Sequence, residues 1–350
     1  MTDDDLRAAV AAGILTEAQA ARALTLSQAR AGTRAMLVGD DEPFELFRGF
    51  SEVFISVGLI LLASGFVGIS ALSGSMLIVA GLGAALCWGL ALYFTRRRRM
   101  ALPSIVLVSG YGIAVIGLIT GIFQAFRSME TDTTGIILTV GAAMLAAFGL
   151  WYAVFKVPFT MFLIGLTGLG IILYLTTTIR PGANWADVDS LFDLRQGGGL
   201  AIGTLIFGIL AFVAGMLFDL RDPHRLGRMA ASGFWLHLLA APALVNTVAL
   251  SFLNMGTATG NLLLALALLV IVLLALIIDR RSFLTAGIVY MGILLGLALR
   301  VDSGGLTGAW LLILLGGFVT LIGAFWNQTR GALLRALPDF PGKARLPPYG

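Results

Sequence analysis

The stretch Tyr93-Phe94-Thr95-Arg96-Arg97-Arg98-Arg99 decides the fold. An apolar run ends in it, four arginines follow without a spacer, and a second apolar run begins directly afterwards. In a water-soluble fold that junction would strand or bury charge. In a membrane it is a hairpin turn held at the cytoplasmic face, because short loops rich in Lys and Arg stay inside. Arg96, Arg97, Arg98 and Arg99 are therefore read as topology determinants, and the rest of the chain is counted outward from them.

Composition supports a membrane setting. Hydrophobic residues make up 58 % of the 350 residues and charged residues only 12 %. A soluble domain carries about 25 % charged residues, so most of this chain faces lipid or other apolar helices. The mean hydropathy of +0.95 agrees. A net charge of +4 raises nucleic acid as a partner. Beyond the first 50 residues, however, the basic side chains sit mainly in alternate loops, where they act as topology signals. Nucleic acid is excluded on that ground. The single cysteine, Cys87, lies within an apolar run, so no intramolecular disulfide is expected. The first 50 residues hold no short apolar core, and the first span is read as its own insertion signal.

Apolar runs predict spans near 55–72, 76–95, 103–123, 135–155, 157–178, 200–218, 231–252, 262–278, 284–299 and 309–325. Each approaches the ~20 residues needed to cross ~30 Å of hydrocarbon. With ten spans and the N-terminus inside, the inner loops and tail hold fourteen Lys and Arg residues and the outer loops four. That bias has the expected sign. Trp151, Tyr152, Trp235 and Trp326 fall near the inner boundary and Trp185 and Trp310 near the outer one, in the pattern of an aromatic belt. The predicted fold class is all-α: a polytopic transmembrane helical bundle of about ten spans with both termini cytoplasmic and a small N-terminal helical hairpin. The domain plan is a hairpin over 1–39, an interfacial linker over 40–54, a membrane domain over 55–326 and a basic, Pro-rich cytoplasmic tail over 327–350.

The N-terminal hairpin rests on capping signals. Thr2 caps a first helix with Asp3, Asp4 and Asp5 against its N-terminal dipole, and Gly13 suits the left-handed residue that ends it. Thr16-Glu17-Ala18-Gln19 has the capping-box form and opens a second helix. A pair this small cannot fold alone, so it is expected to dock on the membrane domain or on a protein partner. A DNA-reading helix-turn-helix is disfavoured because four acids offset Arg7, Arg22 and Arg30. The motif Gly13-Ile14-Leu15-Thr16-Glu17-Ala18-Gln19, in a short helical pair ahead of many spans, resembles an uncharacterised family of bacterial multi-pass membrane proteins. The resemblance implies a bacterial inner-membrane location and this architecture. It brings no activity, cofactor or site residue with it.

Most of the 44 glycines lie inside spans. The pairs Gly117 and Gly121, Gly199 and Gly203, and Gly292 and Gly296 have the four-residue spacing that lets helix backbones approach. Tight packing is the expected use, with hinges for alternating access as the alternative. Arg99-Met100-Ala101 returns as Arg228-Met229-Ala230, each opening a span, which hints at a parallel duplication of 101–218 in 230–326. The one long outer loop, 179–199, carries Trp185, Val188, Leu191 and Phe192 on one helical face and reads as a surface amphipathic helix.

Catalytic chemistry is scarce. No Walker loop, nucleophile elbow or His/Cys/carboxylate cluster with ligand spacing occurs. Asp187-Val188-Asp189 with Asp193 lacks the glycine and glutamate of a calcium loop. Neither an enzyme nor a cofactor or metal is expected. The seventh span alone concentrates costly groups: His237, Pro242 and Asn246. Pro242 frees the carbonyl of Leu238 beside His237. These residues are either separate packing contacts or, through a proline kink, a polar ligand site. Two functional classes follow. One is a non-catalytic scaffold or sensor working through residues 1–39 and the tail, with membrane lipids and a protein partner. The other is a carrier for a neutral, apolar or lipid-like molecule with a site near the seventh span.

Overall fold

The computed structural model describes residues 9–16, 19, 50–125, 133–181, 191–222, 228–280, 283, 313, 316, 317 and 320–347. Among these residues all regular structure is helical. Eight helices are long and apolar enough to cross a membrane. They are α1 (Phe50–Ala71), α2 (Met76–Ala91), α3 (Ala101–Ala125), α4 (Thr133–Phe155), α5 (Phe159–Ile179), α6 (Gly199–Asp219), α7 (Arg228–Leu253) and α8 (Ala258–Ile278). A π-helical turn, Leu92–Arg97, prolongs α2, and a shorter helix, α9 (Trp326–Ala336), follows later in the chain. The chain is a multi-pass integral membrane protein. The expected spans one to eight are all present as helices. The ninth, 284–299, lies outside the described residues, as do about half of the tenth, 309–325, and the matching part of the second half of the suggested duplication.

Small residues set how closely the helices pack. A Cβ added at Gly117 would lie 3.0 Å from Ala80, and one at Gly121 would lie 2.9 Å from Leu77. α2 and α3 are therefore antiparallel and in near-backbone contact. Gly199 and Gly203 of α6 meet Thr176 of α5 with still less room. Both described glycine pairs thus lie at helix contacts, as the four-residue spacing implies; Gly292 and Gly296 are outside the described residues. Hydroxyls add cross-links where backbones are close. Thr204 and Thr247 Oγ1 atoms are 2.7 Å apart between α6 and α7, and Thr134 Oγ1 is 2.9 Å from Tyr174 Oη between α4 and α5.

Because the helices alternate, α1, α3, α5 and α7 begin, and α2, α4, α6 and α8 finish, at one common end. That end carries Arg96 to Arg99, Lys156, Arg221, Arg228 and Arg280. Trp326 Nε1 donates to Asp279 Oδ1 at 2.8 Å, so α9 lies at the same end. Any membrane crossing made between Arg280 and Trp326 therefore comes in pairs.

Three expectations change. The linker expected over 40–54 gives way to helix from Phe50. The reason is Glu52, which is buried and whose Oε2 accepts the N–H groups of Ala101 at 3.1 Å and Leu102 at 3.0 Å. Held at the positive end of α3, that carboxylate needs no water, and α1 can begin before it. Trp151 and Trp326 do not form a lipid-facing belt. Trp151 is fully buried against Trp88, Tyr111 and Phe155, and Trp326 is buried beside Asp279. The tail expected over 327–350 is no free arm in its first half, since α9 docks on α8 with Arg330 and Leu334 buried.

At the N-terminus the described residues show local caps. Gly13 is left-handed, at φ +70°. Thr16 N–H donates to Gln19 Oε1 at 2.9 Å and Gln19 N–H to Thr16 Oγ1 at 3.3 Å, the reciprocal pair of a capping box. The pairing of the two helices, like the surface helix with Trp185 and Val188, falls on residues outside those described.

The alternation is checked by reporters active only outside the cytoplasm. Fusions at Glu130, Asp189 and Met255 are expected to be active, and fusions at Arg98, Lys156, Pro223 and Arg281 and at the C-terminus inactive. Activity at Asp302 is expected from a ninth and tenth span; inactivity there would leave eight.

Candidate functional site

Three side chains from consecutive spans meet at the arginine-rich end. Asp219 is the last residue of α6, His237 lies in the first half of α7, and Arg280 follows α8 directly. His237 and Arg280 are both 0 % exposed, and Asp219 is buried. Arg280 Nε donates to Asp219 Oδ2 at 3.0 Å, and its Nη2 donates to Asp219 Oδ1, giving a bidentate pair. The same Nη2 donates to the carbonyl of Ala230 at 2.9 Å, in the first turn of α7. His237 Nε2 is 3.0 Å from Asp219 Oδ2. A carboxylate can only accept here, so Nε2 carries the hydrogen.

Local chain geometry makes this meeting possible. Gly215 sits one helical turn before Asp219, and a Cβ there would lie 2.8 Å from the His237 ring. Gly233 sits one turn before His237, and a Cβ there would strike Asp219 Oδ1. Each glycine clears space for the charged side chain of the opposite helix. Phe212 and Phe283 stand edge-on to the imidazole, with ring centroids 5.6 and 5.8 Å away. Asp219 and two aromatic walls thus help to fix the imidazole.

A second layer lies behind the first. Asp279 is left-handed at φ 56°, a conformation Asp tolerates, and it ends α8. Adjacent side chains then part: Arg280 goes to Asp219, and Asp279 accepts from Trp326 and lies 3.8 Å from Arg330 Nε. Arg330 Nε donates to the Leu276 carbonyl at 3.0 Å, one of the last-turn carbonyls a helix leaves open. Its Nη2 donates to the Pro347 carbonyl at 2.7 Å. Two buried arginines, each matched by a carboxylate, thereby connect α6, α7, α8 and the C-terminal segment.

The candidates read from the sequence separate in space. His237 belongs to this cluster. Pro242 is exposed on the bundle surface and Asn246 is half-buried, and neither reaches His237. α7 runs through Pro242 as one helix, Arg228–Leu253. Arg96, Arg97, Arg98 and Arg99 remain exposed at the same end of the bundle. Asp219 and Arg280 escaped the sequence reading because each was assigned to a loop boundary. Their signal was that costly groups end the two spans on either side of the one span that carries a histidine. Asp193 is buried at the opposite end and accepts from the N–H of Arg195 at 2.9 Å, which is a turn contact; Asp187 and Asp189 are outside the described residues. Among the described residues no group of His, Cys, Asp and Glu is placed to hold a metal ion.

Chemically the cluster is a charge-balanced clamp. One carboxylate accepts from a guanidinium and an imidazole, and the low dielectric makes each bond stronger than it would be in water. Arg280 Nη1 has no hydrogen-bond partner among the described residues. The chain matches no protein-family model, no curated protein and no solved structure.

Substitution of the clearing glycines checks this geometry. Gly215→Ala is expected to lower stability by about 1–3 kcal/mol, the usual range for overpacking. Combining it with His237→Ala is expected to recover part of that loss, because the new methyl enters the vacated space. Gly168→Ala, where an added Cβ meets nothing within 4 Å, is expected to be neutral. Melting of the purified protein in detergent reads all three.

Proposed function

We propose that this is a non-catalytic protein of the bacterial inner membrane, with ten spans and both termini in the cytoplasm, that acts as a scaffold or sensor at its arginine-rich end. What supports this reading is where the buried charge lies. Glu52, Asp219, Asp279, Arg280 and Arg330 are at that end and connect helix ends to one another and to α9, whereas buried Asp193 at the other end makes a turn contact with Arg195. At mid-depth the spans meet through small residues instead, as where Gly208 packs on Leu244 and Gly165 on Leu239. Polar chemistry concentrated on one face suits a protein that presents that face to partners. The charge bias supports a cytoplasmic position for that face. The N-terminal residues 1–39 would supply the partner-binding element, with the docked C-terminal segment beside it.

The second reading is a carrier for a neutral, apolar or lipid-like molecule. It draws on one feature, a fully buried His237 inside a span, since ionisable groups within membranes often line pathways. In that reading Asp219, His237 and Arg280 would rearrange as the pathway opens.

Removal of residues 1–39 separates the two. The scaffold reading expects normal insertion of the shortened protein and loss of the proteins that co-purify with the full chain from membranes. An unchanged set of co-purifying proteins would contradict it. Solute flux in proteoliposomes that His237→Ala abolishes per folded molecule would establish the carrier instead.

A further inference from the structure

Among the described residues, two sets of arginines at the arginine-rich end differ in their surroundings. Arg280 and Arg330 are buried and each is matched to a carboxylate. Arg96, Arg97, Arg98 and Arg99 are exposed, consecutive, and paired with no carboxylate among the described residues. The described acids at their end of the bundle are already engaged. Glu52 caps α3, Asp219 holds Arg280 and His237, Asp222 accepts from Ala230, and Asp279 holds Trp326. Asp339 pairs with Lys343. The C-terminus of α2 offers the arginines only a fraction of a negative charge. Among the described residues no carboxylate supplies their counter-charge.

The surroundings indicate its source. The π-helical turn that presents the arginines also carries Leu92 and Tyr93, which are 49 % and 41 % exposed on the lipid-facing side of the bundle. Tyr93 holds one guanidinium in place: Arg98 Nε donates to its hydroxyl at 3.2 Å, and the guanidinium lies 5.7 Å from the ring centroid. Glu52, bonded to the amides of Ala101 and Leu102, brings the start of α1 to this corner, where Phe50 and Phe54 are exposed. The Arg98 guanidinium thus lies beside an exposed aromatic ring, in the same helical turn as exposed Leu92. This juxtaposition suits a phospholipid, with its phosphate next to its acyl chains. Arginine binds phosphate oxygens in bidentate fashion, and basic residues at this depth favour anionic over zwitterionic lipid.

We propose that Arg96, Arg97 and Arg99, with Arg98 set by Tyr93, form a binding site for the phosphate headgroup of an anionic phospholipid, whose acyl chains lie against Leu92, Tyr93 and Phe54. The site does more than orient the chain during insertion: it holds lipid on the folded protein. It is separate from the Asp219 cluster and can be lost without disturbing it.

The test uses the full-length protein, delipidated in detergent and examined by native mass spectrometry. The probes are a short-chain phosphatidylglycerol and a phosphatidylcholine with the same chains. Wild-type protein is expected to retain phosphatidylglycerol selectively and to melt at a higher temperature in its presence. The variant R96Q/R97Q/R99Q is expected to bind it at least about tenfold more weakly. R221Q/R335Q/R345Q removes three exposed charges from the same end and is expected to bind as wild type. Equal retention of the two lipids by wild-type protein would overturn the proposal even if the triple variant fails to insert. Equal losses in the two triple variants would also overturn it, showing only a general attraction of the basic end. Displacement of the lipid by millimolar inorganic phosphate would assign the site to a free anion instead.

Discussion

A carboxylate at the end of an apolar helix must either reach water or be matched. Asp219 is buried, so it must be matched, and Arg280 supplies a bidentate guanidinium while His237 supplies a third N–H. Neither His237 nor Arg280 is exposed at all, so none of the three can withdraw to solvent singly. An ion pair of this kind adds little net stability against a well-packed apolar alternative, but removal of one partner is costly. The consequence is specificity of arrangement. α6 and α8 must finish, and α7 must begin, at matching depth and rotation, because only then do the three groups meet.

Much else at that end follows from this meeting. Gly215 and Gly233 are small because the opposing charged side chains occupy the space a Cβ would take. Asp279 adopts its left-handed turn so that Arg280 can point inward while its own carboxylate points toward α9. Arg330 then bridges the open carbonyl of Leu276 to the carbonyl of Pro347 and draws the C-terminal segment onto α8. Glu52 plays a comparable part among the first spans, joining α1 to α3 through backbone amides instead of a cation. Buried polar groups thus act as connectors between helix ends, whereas glycine and threonine contacts close the distances between helix bodies.

The architecture was legible because hydrocarbon imposes one rule everywhere: apolar length must match membrane thickness. Helices α1 to α8 follow that rule, and Gly117, Gly121, Gly199 and Gly203 lie at the close contacts their spacing implies. The capping signals at Gly13 and Thr16 are local, and the backbone there has the geometry they encode. The cluster was not legible in the same way. Asp219 and Arg280 are 61 residues apart and each sits at a boundary where charge is ordinarily solvated. Which boundary residues turn inward depends on the neighbouring spans, and no periodicity within one span records it. Pro242 and Asn246 are close to His237 along the chain, but Pro242 is exposed and Asn246 only half-buried, the first of the two alternatives their spacing left open. Trp326 resembled a belt residue, yet its indole N–H is used by Asp279.

The most direct measurement of the central claim is a double-mutant cycle on the buried pair. Asp219→Leu, Arg280→Met and the combination would be compared by reversible unfolding in detergent. Each single change is predicted to cost about 3–5 kcal/mol by leaving a buried charge unmatched. The double change is predicted to cost much less than the sum, because it removes both charges together. Additive losses, or single losses no greater than those of ordinary surface substitutions, would contradict the account, since Asp219 and Arg280 would then not depend on one another.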